Sequence, residues 1–408
     1  MYPDYPIYPY FLLMAALTVC FSTRLWRFVD GVPARSGARI ESIDGMRGYL
    51  ALSVMVHHAV IARAWLATGS WVLPTDPFYA QLGSVAVSLF FMITGYLFWG
   101  KLVAKEGRAD WMGLYIGRLF RIAPLYWLTI AIMTLLVFVR SDFELRQAPG
   151  ALAAELWRWC RLGMFPGHDF NGYPNAWILI AGVTWTLKYE WRFYFALLPL
   201  SVFAKPRFHL PAAALACVIA WAAAAITQFN GWGYTALFSA GMLSASLSVA
   251  LKGGLPNASR LRFPLSPSMA STLVAILLVV TFVISPRPFG VLQVSLLALV
   301  FFLVCQGATL FGLFTSRAAV RLGHISYGIY LMQGLVISVI FDHPVTRQWV
   351  ARNESAFWWL TLAVALALCA VAAIVHVLLE RPSIDLGRRC ASAVKNRVAK
   401  RREQLSMN

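Results

Sequence analysis

The chain has 408 residues, of which 60% are hydrophobic, 14% aromatic and only 13% charged. Soluble domains are about 45–50% apolar and about 25% charged, so ordinary cytosolic, disordered and collagen-like classes are excluded and a membrane protein is indicated. The 35 Lys and Arg against 17 Asp and Glu give a net charge of +18, which in a chain that crosses a bilayer repeatedly marks basic loops on one side rather than nucleic-acid binding.

Eleven apolar stretches are long enough to cross ~30 Å of hydrocarbon once tilt and polar interruptions are allowed. They lie near 7–25, 49–67, 83–101, 122–139, 184–204, 210–227, 234–251, 269–285, 290–311, 322–341 and 356–379. The expected fold is therefore all-α, a polytopic transmembrane bundle of about 11 spans. Alternate connections on one side carry 25 basic residues, among them Arg24, Arg35, Arg39, Arg47, Lys101, Arg118, Arg121, Lys252, Arg260, Arg321 and the eight from Arg381 to Arg402, whereas the other side carries seven. The positive-inside rule makes the first side cytoplasmic, so an odd number of spans puts the N-terminus outside and the C-terminus inside. The first span has Asp4 ahead of it, Arg24 and Arg27 behind it and no small-x-small cleavage pattern, so it is expected to remain as an anchor. The basic tail 384–408 is expected to lie along anionic headgroups. None of the six cysteines falls in a CxxC or metal-type spacing, so they read as packing residues and no metal is expected. Internal repeats are not visible, which argues against a transporter built from duplicated halves.

Ionisable groups at membrane depth are costly, and function is sought where they occur. The second span opens Asp44-Gly-Met-Arg47-Gly48 and carries His57 and His58. On a helix the eleven residues from Arg47 to His58 turn ~1,100°, about 20° past three turns, and rise ~16 Å; Asp44 falls about 40° short of alignment with His58. One helical face thus presents a cation at the inner boundary and an imidazole near the midplane. Ligand guidance toward a base is one reading; topology charge plus a structural histidine is the other. His57 points ~100° away. Arg118 and Arg121 share a face of the fourth helix, where two guanidinium forks can hold phosphate oxygens, or merely obey the topology rule. The fifth span carries Lys188, Glu190 and Arg192. Counted from the outer boundary, Glu190 lies ~9 Å deep and His58 ~14 Å above the inner boundary, which allows the two to meet; pairing of Glu190 with Arg63 or Lys188 is the alternative. His376, near Glu380-Arg381-Pro382, reads as structural in a motif that closes a helix. The outer loop 140–175 either covers an acceptor or is a plain connection with Trp anchors. No GxSxG, P-loop, GxGxxG or HxxxxD signature is present.

Several stretches together resemble the integral-membrane acyltransferase family 3. They are Ile43-Asp-Gly-Met-Arg47-Gly followed by His58-Ala59, Leu89 to Tyr96 (an FFxxSGF-like segment with Thr94 in place of Ser), Arg118-Leu-Phe-Arg121 continuing to Pro124-Leu-Tyr126-Trp127, Trp185-Thr-Leu-Lys-Tyr-Glu190-Trp-x-Phe-Tyr194, Ile325-Ser-Tyr327-Gly-Ile-Tyr330-Leu, and Glu380-Arg381-Pro382. They run in the family's order from about residue 40 to 383. The resemblance implies a ten-helix acyltransferase domain over 40–383, preceded by an extra helix and linker at 1–39 and followed by the tail.

It further implies an enzyme of the bacterial inner membrane that moves an acetyl group from cytoplasmic acetyl-CoA to a hydroxyl of a cell-surface or lipid-linked glycan, such as a polysaccharide or lipopolysaccharide. In that reading His58 is the general base, Asp44 and Glu190 assist catalysis, and Arg47, Arg118 and Arg121 hold the donor's phosphates. No soluble domain follows the membrane core in this sequence, so the acceptor is expected to be handled by the core and its loops. Gln333 stands where the family often has His, which leaves His58 as the main candidate. The rival class is a transporter or flippase of a lipid-linked sugar; a second enzyme reading is the membrane-bound O-acyltransferase type with His376 as base.

Overall fold

The computed structural model describes residues 5–30, 41–165, 167, 169–227, 230–251, 265–285 and 287–407. The expected basic positions Arg35, Arg39, Lys252, Arg260 and Arg262 lie outside the described residues, as does the boundary between the expected linker and the acyltransferase domain. About 81% of the described residues are helical, and no strand occurs among them.

Among the described residues fourteen α-helices follow one another: α1 (Tyr8–Ser22), α2 (Glu41–Thr68), α3 (Pro77–Val103), α4 (Trp111–Arg140), α5 (Pro149–Trp159), α6 (Trp185–Leu200), α7 (His209–Thr227), α8 (Asn230–Leu251), α9 (Pro267–Ile284), α10 (Val291–Cys305), α11 (Arg317–Phe341), α12 (Pro344–Arg352), α13 (Glu354–Val375) and α14 (Arg381–Met407). Eight helices among the described residues are long and apolar enough to cross a membrane. Of the remaining stretches expected to span, α1 and α10 are apolar but only 15 residues each, and α6 has 16 with three charges. The helices on the periphery show apolar side chains outward, such as Leu215, Val218 and Ile219 of α7 and Ile276, Val279 and Val283 of α9. A protein in water would bury these faces; in hydrocarbon they cost nothing.

Several helices begin earlier than the apolar windows. Asp110 accepts from the Gly113 backbone N–H and starts α4 eleven residues before the apolar stretch, so Arg118 and Arg121 stand on regular helix. Asp76, Ser266, Ser316 and Asn353 cap α3, α9, α11 and α13 in the same way.

At the centre, α11 packs on α2, α13, α1 and α4. Its crossing with α2 is permitted by glycines: a Cβ on Gly48 would stand 2.5 Å from Leu322 Cβ, and one on Gly323 would stand 1.9 Å from the Asp44 carbonyl oxygen. Backbones that approach this closely need hydrogen in place of a side chain. The contact sets Arg47 and His58 of α2 against Tyr327, Tyr330 and Gln333 of α11.

Two sequence expectations are corrected. The helix ending in α13 is not closed by Glu380-Arg381-Pro382; it widens into one π-turn over His376–Glu380 and continues as α14. Pro382 has no N–H and its ring crowds the carbonyl four residues back, which favours a local widening over a break. The tail is accordingly helical, and Gly387 lies against Phe120 of α4. The chain before α6 also departs from expectation. Residues 176–180 form a 3-10 turn in which Ala176, Leu179 and Ile180 are fully buried, and the Val183 carbonyl accepts from Tyr330 in the middle of α11. The segment therefore dips into the bundle before α6 begins, which carries Glu190 deeper than a helix starting at the surface would.

Candidate functional site

The ends of α2, α4, α11 and α14 that bear Arg47, Arg118, Arg121, Arg321 and Arg381 gather on one face of the bundle. A cavity of about 130 Å³ enters from this face. Its wall draws on five of the six quoted segments: Arg47 from α2, Phe90, Phe91 and Thr94 from α3, Arg118 and Arg121 from α4, Thr186, Glu190 and Tyr194 from α6, and Ser326, Tyr327 and Tyr330 from α11. The sixth joins through Glu380, whose buried carboxylate pairs with Arg121 at 3.6 Å and meets His376 Nδ1 at 3.2 Å. Residues up to 283 positions apart in sequence, Arg47 and Tyr330, thus share one polar surface.

Within the cavity the cations are held differently. Arg118 lies over the Phe98 ring at 4.9 Å and has no ion pair among the described residues, whereas Arg121 is tied to Glu380 and lies 5.6 Å over Tyr327. Arg47 is 4.0 Å from Asp44, one turn earlier on α2. Glu190 accepts from the Tyr194 hydroxyl at 2.7 Å. Arg47 and Arg121 each have a carboxylate beside them, so Arg118, without an ion pair among the described residues, is the guanidinium most available to an anionic ligand.

His58 does not line this cavity. Its ring is partly buried beside His57, faces Trp71 with centroids 6.3 Å apart at 27°, and meets Gln333 Oε1 with Nδ1 at 3.2 Å. The Gln333 amide is oriented by a second bond, since its Nε2 donates to the Tyr330 carbonyl at 2.7 Å. That carbonyl only accepts, so the amide nitrogen must face it and the amide oxygen must face His58. An amide oxygen also only accepts. The proton of the neutral imidazole therefore sits on Nδ1, and Nε2 carries the lone pair. Gln333 is fully buried, and Tyr330 lies on the cavity wall.

Of the two readings of Glu190, the meeting with His58 does not occur: Glu190 faces Arg47, Arg118 and Arg121, because the inward dip of 176–184 moves it toward the arginine-bearing face. Nor does it pair with Arg63, which lies near the other end of α2 over the rings of Tyr5 at 5.2 Å and Phe357 at 4.8 Å. His57 is a packing residue, with Nδ1 on the Tyr79 carbonyl at 2.7 Å and its ring against Gly83. Trp71 was given no role by the sequence. It lies in an irregular segment where periodicity carries no information.

The class that the fold and the site define is a polytopic helical bundle whose scattered polar segments converge on one cavity. A family model described as "Acyltransferase domain" matches residues 40–377. The chain belongs to this acyltransferase family, type 3, and is a membrane acyltransferase. No match was found among curated proteins or among solved structures.

Proposed function

We propose that the protein transfers an acyl group, acetyl in the simplest case, from acyl-CoA bound at the arginine-bearing face to the hydroxyl of a glycan, with His58 as general base. The observation that carries this reading is the chain Arg118 cavity, Tyr330, Gln333, His58: an arginine-lined cavity suited to a phosphorylated thioester has Tyr330 in its wall, and the Tyr330 carbonyl orients the Gln333 amide that holds the imidazole with Nε2 unprotonated. With the arginine-bearing face cytoplasmic, as the charge asymmetry requires, the donor comes from the cytosol.

In the reaction, His58 Nε2 takes the proton of the acceptor hydroxyl as its oxygen attacks the thioester carbonyl. The C–S bond breaks, the thiolate leaves, and the imidazolium returns the proton to sulfur, so an ester and free CoA result. Gln333 Oε1 accepts from Nδ1–H throughout and stabilises the imidazolium. Arg47 and Arg118 bind donor phosphates, with Arg121 held at the cavity edge by Glu380. Asp44 and Glu190 balance the arginines rather than touching the reacting atoms.

The test is transfer from radiolabelled acetyl-CoA by purified protein to lipid-linked and free glycans. His58→Ala should remove label transfer while leaving folded yield and donor binding in place. Wild-type transfer in His58→Ala refutes the assignment of the base, and sugar movement without any label transfer refutes the enzyme reading altogether.

A further inference from the structure

On the face opposite the arginines lies a second cavity, of about 280 Å³. It is lined by Trp65 at the end of α2, Arg140 at the end of α4, Tyr173 and Asn175 of the connection before α6, and Ser338 and Asp342 at the end of α11. The connection is built rather than slack. Asn171 is fully buried, its amide donates to the Glu144 carbonyl at 2.8 Å, and its oxygen accepts from the Arg146 backbone at 3.0 Å.

The two charged groups that line the cavity, Arg140 and Asp342, pair with each other. Asp342 pairs with Arg140 at 3.0 Å and with Arg347 at 3.3 Å, and Arg140 is spent further on the Tyr173 hydroxyl at 3.1 Å and the Ser338 carbonyl at 3.2 Å. An anion gains little from a guanidinium so fully engaged, and a lipid chain gains little from a wall of carboxylate, amide and hydroxyl groups. Two aromatic rings beside neutral or compensated hydrogen-bonding groups suit a ligand with C–H faces and many hydroxyls.

The cavity adjoins a crevice of about 10 Å³ that shares Trp65, Ile178, Ser338 and Asp342 with it and has Trp71 and Gly334 in its wall. Trp71 faces His58, and Gly334 follows Gln333. Gly334 has no room for a side chain, since a Cβ would stand 2.2 Å from the Ile180 carbonyl carbon. We infer that the Trp65–Tyr173–Asp342 cavity is the acceptor site, that it takes an uncharged polyhydroxylated group such as a hexopyranoside, and that the acceptor reaches His58 past Trp71. The inference rests on the acyl-transfer reading for the identity of the acceptor, but the binding site is testable by itself.

The experiment uses the full chain in detergent micelles with methyl β-D-glucopyranoside as probe and methyl β-D-glucuronide as its charged counterpart, read by saturation-transfer NMR. Acetyl-CoA binding is measured on the same samples as a control for the folded arginine cavity. Saturable binding of the glucoside is expected, weaker binding of the glucuronide, and a rise of about tenfold in glucoside Kd for Trp65→Leu and for Tyr173→Leu at unchanged donor binding. Tyr173→Phe, which keeps the ring, should bind nearly as wild type. No saturable glucoside binding by wild type, preference for the glucuronide, or unchanged affinity in both Leu variants would each overturn the proposal. Glucoside binding that depends on Trp65 in a protein that transfers no label keeps this site and removes the acyl-transfer reading instead.

Discussion

Replacing Gln333 by Met isolates the contribution of the amide to the imidazole. Met has similar length and flexibility, so the fully buried position stays filled. The Tyr330 carbonyl loses only its side-chain donor, because it also accepts within α11. His58 loses the acceptor 3.2 Å from Nδ1. A buried N–H without a partner costs about 1–3 kcal/mol. The ring escapes this cost by moving its proton to Nε2 or turning away, and either response removes the base. If the whole penalty appears in the population of the competent ring, kcat falls by about 5-fold to about 150-fold. Donor binding at the arginine cavity is untouched. Gln333→Glu offers an acceptor at the same place and should recover much of the loss. The assay is steady-state transfer from labelled acetyl-CoA, combined with ¹⁵N chemical shifts of the His58 ring, which separate the two tautomers. A Met variant with kcat within about twofold of wild type and the Nδ1–H tautomer intact would refute the reasoning.

Arg118→Ala and Arg121→Ala should differ although the two arginines lie three residues apart. The first weakens acetyl-CoA binding with an unchanged thermal midpoint, while the second leaves the buried Glu380 carboxylate without its guanidinium, a loss of about 3–5 kcal/mol in comparable pairs, and lowers the midpoint; calorimetry with donor titration separates them. Gly48→Ala forces a Cβ to within 2.5 Å of Leu322 Cβ and should destabilise by about 1–3 kcal/mol, whereas Gly117→Ala meets nothing within 4 Å on α4 and should stabilise by about 0.5–1 kcal/mol, as thermal unfolding will show. The Arg321 guanidinium, hydrogen-bonded to Asp30, holds that carboxyl below the usual carboxylate range. A depressed folded pKa contributes stability above the ordinary value of about 3.9 and loses it as pH falls through the folded value. Fluorescence of nearby Trp26 should therefore report loosening of the N-terminal segment only below about pH 4 in wild type, and Asp30→Asn should abolish that acid transition. A transition that persists in Asp30→Asn assigns it to other carboxylates.

The sequence determined the helical class, because runs of apolar residues longer than a bilayer leave the backbone no other way to satisfy its hydrogen bonds. It also determined which polar residues to watch, since an arginine or histidine at membrane depth stands out by cost alone. The alignment of Arg47 with His58 and of Arg118 with Arg121 was legible because it lies within single helices. What the tertiary structure decided is everything that depends on two elements meeting. Glu190 lies with the arginines because residues 176–184 fold inward, a buried turn between the expected outer loop and the expected span. Arg121 is a partner of Glu380 because α14 continues past Pro382 and packs on α4. Gln333 and His58 lie 275 residues apart, and Trp71 sits in a segment with no period. Their meeting follows from the close crossing of α2 and α11 at Gly48 and Gly323, a contact that no local pattern encodes.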